Sequence, residues 1–250
     1  MTWLEGEVVE NRHWTDALFS LRVKAPALRF EAGQFVRIAL DEREGDEASR
    51  IARPFSFVNA PQDPLLEFYG IVVPEGPLSP RLAALRPGDR LYVADNPAGF
   101  LVLSEVPDAQ SLWLVSTGTG IAPFLSMLQT ETPWQRFREV VLVHAVRRAE
   151  ELVYRELIGK LQARRGPALR YVRFVSREAA PGALAGRVPG AIADGRLEAA
   201  AGLALRADSA HVMLCGNPGM LKDAAAALAL RGMRKHRRRS PGHLTVESFW

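Results

Sequence analysis

One cysteine, Cys215, occurs in 250 residues. That excludes an intrachain disulfide, and it excludes an iron–sulfur cluster held by four thiolates of this chain. A single thiol suits a reducing compartment, so a cytoplasmic protein is expected. Long apolar runs are missing too. The longest, Leu112 to Leu128, is interrupted by Thr117-Gly118-Thr119-Gly120 and is unsuited to a membrane span. Met1 to Trp14 carries Glu5, Glu7, Glu10 and Arg12 and lacks the basic start and apolar stretch of a signal peptide. The charge excess is small: 32 Lys+Arg against 28 Asp+Glu gives +4, which does not by itself point to nucleic acid. His13, His144, His211, His236 and His243 are scattered, so no metal site is expected. No Ser–His–acid arrangement stands out. What remains is an ordinary globular composition, 48% hydrophobic and 24% charged. The length suits two domains of roughly 100–150 residues each.

The first hundred residues alternate short apolar runs with turn signals. Val36–Leu40, Phe55–Val58, Leu65–Val73 and Leu91–Val93 read as strands of an all-β barrel or sandwich. A short helix is expected at Pro80–Leu85, with Ser79 as its N-cap. The pattern changes near Leu103–Pro107. Continuous apolar runs follow at Leu112–Val115, Val140–Val143, Leu169–Val175 and His211–Leu214. Helical stretches lie between or after them at Pro123–Thr130, Ala149–Arg164 and Pro218–Arg231. Buried strands alternating with helices imply a parallel sheet. The expected fold is therefore an antiparallel β-barrel, residues 1–104, followed by an α/β parallel-sheet domain, residues 105–250.

Several motifs sit at informative places. Gly118-Thr119-Gly120-Ile121-Ala122-Pro123 joins a strand to a helix. Its glycines let a backbone approach a pyrophosphate, and the helix start offers free N–H groups; a plain tight turn is the alternative. In NAD enzymes an acid near the end of the second strand receives the ribose 2′-hydroxyl. Here that strand runs into Arg147-Arg148, and the next ends at Ser176-Arg177. Arginine there favours a 2′-phosphate, hence NADP, and Arg187 is a third candidate. In Arg53-Pro54-Phe55-Ser56 the arginine can pair with a phosphate, Phe55 can stack on a flat ring, and Ser56 can bond a ring nitrogen. By itself that motif reads as an alternating strand with Phe55 in the core. Cys215, at a strand end before Gly216-Asn217-Pro218, reads as a small buried hydrophobe or as a nicotinamide contact. The basic run Arg231–Arg239 fits nucleic-acid binding, a solvated helix end, or a docking patch for an acidic protein.

Together these residues resemble the ferredoxin/flavodoxin–NADP(+) reductases, in their bacterial form with a compact C-terminus. Arg53-Pro54-Phe55-Ser56 is similar to that family's flavin motif, and Gly76-Pro77-Leu78-Ser79 to its second flavin segment. Gly118–Pro123 resembles its NADP pyrophosphate loop. Val175-Ser176-Arg177-Glu178 and Cys215-Gly216-Asn217-Pro218 resemble further NADP segments, and Glu247-Ser248-Phe249-Trp250 its terminus. The resemblance implies FAD contacts from Arg53, Pro54, Phe55, Ser56, Tyr69, Pro77, Leu78, Ser79, Thr119 and Trp250, the last on the adenine. It implies NADP contacts from Gly118, Thr119, Gly120, Arg147, Ser176, Arg177, Arg187 and Asn217. Ser56, Cys215 and Glu247 would surround the reacting atoms, with Phe249 covering the flavin face. Phe55 and Phe249 stand where the family usually has Tyr; each keeps the ring and loses a hydroxyl. The implied reaction is hydride transfer between NADPH and FAD, coupled to one-electron exchange with ferredoxin or flavodoxin. The implied partner is an acidic carrier protein, with no nucleic acid and no membrane span, and the chain is expected to act as a monomer.

Overall fold

The computed structural model describes residues 2–42 and 49–248. The first half holds β1 (Trp3–His13), β2 (Leu18–Lys24), β3 (Phe35–Asp41), β4 (Arg50–Ser56), β5 (Leu66–Ile71), α1 (Ser79–Ala83) and β6 (Arg90–Ala94). The six strands form one antiparallel sheet in the order β4-β3-β6-β1-β2-β5. Its two edges meet just beyond β4. Phe57 bridges Phe68, and the Val58 N–H donates to the Glu67 carbonyl at 2.8 Å. The sheet thereby closes into the expected barrel, which leaves no long free edge. Its interior is filled by Phe19, Leu21, Ile38, Phe57, Phe68, Leu91 and Val93.

Strand β1 is the central surprise. It lies between β6 and β2, yet only Gly6 and Val8 along it are buried. Gly6 is required there: a Cβ would stand 2.7 Å from Val23 Cγ1. Ser79 does not cap α1. The helix starts at Ser79 itself, and its Oγ accepts the Val73 N–H at 2.9 Å, closing the loop that precedes the helix.

The second half holds β7 (Ser111–Thr117), α2 (Ala122–Leu128), α3 (Thr132–Arg136), β8 (Glu139–Val146), α4 (Arg155–Arg165), β9 (Leu169–Val175), β10 (Leu184–Ala185), α5 (Val188–Ala193), α6 (Arg196–Ala201), β11 (Ala210–Gly216), α7 (Pro218–Ala229) and β12 (Leu244–Ser248). All six strands are parallel, in the order β10-β9-β8-β7-β11-β12. The apolar runs are its central strands, covered on both faces as a parallel sheet requires. The helix expected over Ala149–Arg164 is broken. A 3-10 turn, Ala149–Glu151, precedes α4, and Tyr154 between them is left-handed at φ 58°. Tertiary contact overrides helix propensity here.

Tyr154 belongs to the layer that joins the halves. Leu18, Ala32, Val58, Tyr69 and Leu101 pack in one apolar cluster with Leu112, Phe124, Met127, Tyr154 and Met213. The Tyr154 ring lies against Trp14 and edge-on to Tyr69, and its hydroxyl donates to Glu67 Oε1 at 2.8 Å. Ser126 Oγ and Gln129 Nε2 donate across the same joint to the Asn59 and Val58 carbonyls. Burial raises the Glu67 carboxyl above its ordinary value, and the Tyr154 hydroxyl opposes that rise. Tyr154→Phe should therefore cost about 1–3 kcal/mol, the penalty of a buried acceptor losing its donor. Urea unfolding at neutral pH measures this; an unchanged midpoint would show that the joint does not depend on the bond.

Candidate functional site

The barrel seam makes the first cavity. Because β4 and β5 converge there, Arg53–Ser56 and Tyr69–Ile71 form one wall, and Gly76–Ser79 before and at the start of α1 form the other. The cleft holds about 370 Å³. Pro54 is tolerated because β4 is an edge in the hydrogen-bond order. Gly70 makes room for two rings: a Cβ there would meet Phe19 at 2.8 Å and Phe55 at 3.0 Å. One Arg53 nitrogen donates to the Ala52 carbonyl at 2.8 Å, and the side chain otherwise faces the cleft. Two hydroxyls carry the clearest signal. Ser56 Oγ and Tyr69 OH are buried without a partner in the protein, and both residues line the cleft. An orphaned buried hydroxyl in a concave site implies a bound polar group.

The second cavity, about 400 Å³, lies at the carboxyl edge of the parallel sheet. The turn after β7 supplies Gly118, which has φ 53°, and Thr119. The ends of β8 and β9 supply Arg147, Ser176 and Arg177, and the chain before α5 supplies Arg187. Among the described residues, no carboxylate pairs with the guanidiniums of Arg147, Arg177 or Arg187. Arg148 instead turns to Glu178, at 3.6 Å. Asn217 also lines this cavity, but its Oδ1 caps α7, accepting the Gly219 and Met220 N–H groups. Thr119 borders both cavities, so the two adjoin.

The structure thus gathers every described FAD candidate in one cleft and all NADP candidates but one in the other. The exception is Gly120. It lines neither; a Cβ would lie 2.5 Å from the Cys215 carbonyl oxygen, so this glycine lets the turn pass β11. Phe249 and Trp250 lie outside the described residues. Several lining residues, Ile71 and Asp223 among them, escaped the sequence reading. Ala122 reaches the first cleft from the second half of the chain, and Glu151 lines the second.

Cys215 and Glu247 are register partners on β11 and β12, and neither borders the two cavities. Cys215 is fully buried; burial, then the nearby Glu247 charge, pushes its thiol well up, so it stays protonated at neutral pH. Burial pushes the Glu247 carboxyl up to about 7, partly opposed by the Phe100 backbone N–H. Its Oε2 has no partner, and its Oε1 would stand 3.1 Å from a Cβ on Gly99. The basic run is not a helix end, since α7 stops at Ala229. Arg231 pairs with Glu198, and Arg238 with Glu105 while lying over the exposed ring of Phe100. Arg234, Lys235, Arg237 and Arg239 point to solvent. Among the described residues no helix is long and apolar enough to cross a membrane.

A barrel cleft opening onto a dinucleotide edge defines a two-domain nucleotide-dependent oxidoreductase. Comparison with known proteins is consistent with that class and narrows it. The oxidoreductase NAD-binding domain family matches residues 114–226. The flavodoxin/ferredoxin–NADP reductases of Shigella flexneri and Escherichia coli K12 are 50% and 49% identical over 249 residues, covering 99% of each chain. A crystal structure of a ferredoxin NADP+ reductase from Neisseria gonorrhoeae with bound FAD and NADP superposes with a TM-score of 0.93 at 33% identity, covering both chains fully. The chain belongs to the flavodoxin/ferredoxin–NADP reductase family.

Proposed function

We propose that this protein uses FAD to move electrons between NADP(H) and ferredoxin or flavodoxin. The observation that carries the reading is the pair of orphaned hydroxyls, Ser56 and Tyr69, in a cleft that meets an arginine-lined cavity at Thr119. Bound flavin supplies the exchange between a two-electron and a one-electron couple. The chain supplies placement. Ser56 donates to the flavin ring, Phe55 and Tyr69 flank it, and Arg53 and the segment Pro77-Leu78-Ser79 take its phosphates. Gly118 and Thr119 approach the NADP pyrophosphate, while Arg147, Ser176, Arg177 and Arg187 hold the 2′-phosphate. Glu247, in register with Cys215, holds or releases a proton near neutral pH.

The finer reading of the partner is an acidic carrier. Arg234, Lys235, Arg237 and Arg239, on the segment whose Arg238 lies over the exposed Phe100, offer it charge complementarity. We place the domain boundary at 104/105, inside the 3-10 turn Leu103–Glu105. A monomer acting in the cytoplasm, without nucleic acid, completes the reading. The purified protein should be yellow and hold one FAD per chain. Arg53→Ala with Ser56→Ala should lose most of that FAD on desalting, read from the flavin absorbance. A folded, colourless wild type that takes up no FAD would sink the reading. Cytochrome reduction that does not depend on added ferredoxin or flavodoxin would instead favour a reductase with another acceptor.

A further inference from the structure

We infer that Glu151 sets the nucleotide preference of the second cavity by fixing the turn that carries Arg147. The inference rests on reading that cavity as the 2′-phosphate site. Glu151 lines the cavity, and its Oε2 accepts the backbone N–H groups of Arg147 at 2.8 Å and Arg148 at 3.3 Å. Both residues follow the end of β8 at Val146, where the sheet ladder no longer pairs these N–H groups. One carboxylate oxygen accepts from both. The turn is tied from other directions as well. The Glu151 N–H donates to the Arg148 carbonyl at 3.1 Å, and the Arg177 N–H donates to the Arg147 carbonyl at 2.9 Å. Holding the Arg147 main chain therefore also bears on Arg177, the second arginine at this edge.

Glu151 itself has little freedom. Leu152 and Val153 after it are buried, and left-handed Tyr154 is clamped between Trp14 and Tyr69. The acid stands near the strand end where an NAD-binding enzyme places a ribose acceptor. Its bonds run to the main chain that supports the arginines instead. It is a positioning residue, and its removal acts through Arg147.

The test is calorimetric binding of adenosine 2′-monophosphate and adenosine 5′-monophosphate to the full FAD-loaded chain. Wild type should bind the 2′-phosphate more tightly. If it does not, the reading of the cavity fails before Glu151 is at issue. Glu151→Ala should weaken the 2′-phosphate about tenfold, the equivalent of one charge-assisted hydrogen bond, and leave the 5′-phosphate nearly unchanged. Glu151→Gln keeps an oxygen acceptor and should restore affinity to within about threefold of wild type. In an Arg147→Ala background, Glu151→Ala should have no further effect, because the two residues act as one unit. Should Glu151→Ala fail to fold, Glu151→Asp, which withdraws the carboxylate by one methylene, should show a loss in the same direction. Wild-type affinity in the alanine or aspartate variant would overturn the inference. So would tighter 2′-phosphate binding, equal loss of both ligands, or an undiminished effect without Arg147.

Discussion

Changing Arg147 and Arg177 together to Ala is expected to raise the KM for NADPH about a hundredfold, while that for NADH moves less than about threefold. Each guanidinium at this strand edge is exposed and without a carboxylate partner among the described residues. Its charge is thus available to a phosphate. A charge-assisted hydrogen bond is worth roughly 1.5–3 kcal/mol, and exposure argues for the lower end. Two such contacts at about 1.5 kcal/mol each correspond to about a hundredfold in affinity. NADH has no 2′-phosphate and should scarcely register the change. The effect should shrink as salt is added, because exposed charges are screened. Equal loss for both nucleotides would mean that the arginines only hold the edge of the sheet.

Glu247→Gln is expected to lower turnover about a hundredfold and to remove an inflection in the pH–rate profile near pH 7. The carboxyl is pushed up to about 7 by burial, and one oxygen lacks a partner. It therefore changes protonation in the range where the enzyme would use it. Its folded value lies above the ordinary value of 4.5, so the folded state binds this proton more tightly than the unfolded state. The resulting stabilisation is complete below pH 4.5 and is lost as pH rises through about 7. The glutamine variant lacks that loss and should gain on wild type in unfolding midpoint above pH 7. A stability difference with no change in the rate profile would assign Glu247 to packing alone.

The central strands of the second half were legible because a parallel sheet buries both faces, so Leu112–Val115, Val140–Val143 and Val212–Leu214 stand out as unbroken apolar runs. The arginines were legible for a related reason: a strand end in such a sheet is a ligand edge. β1 was hidden, since Glu5, Glu7 and Glu10 are exposed and only Gly6 and Val8 along it are buried. β12 was hidden as a five-residue edge strand next to an arginine-rich segment. The break at Tyr154 follows from Trp14 and Tyr69, whose rings pack on its own although both residues are distant along the chain. Local composition carries no trace of such contacts. Glu151 was missed for the same reason, as an acid in a helix-like run reads as solvated.

A gene fragment encoding either half alone would expose the apolar layer between the sheets. Leu101 and Val58 would face water on one piece, and Phe124, Met127 and Met213 on the other. Contiguous patches of that kind invite aggregation. Recombination that separates the halves is therefore penalised, whereas recombination that moves both together carries an intact unit. The heritable module is the pair, with the seam between them as its least divisible part.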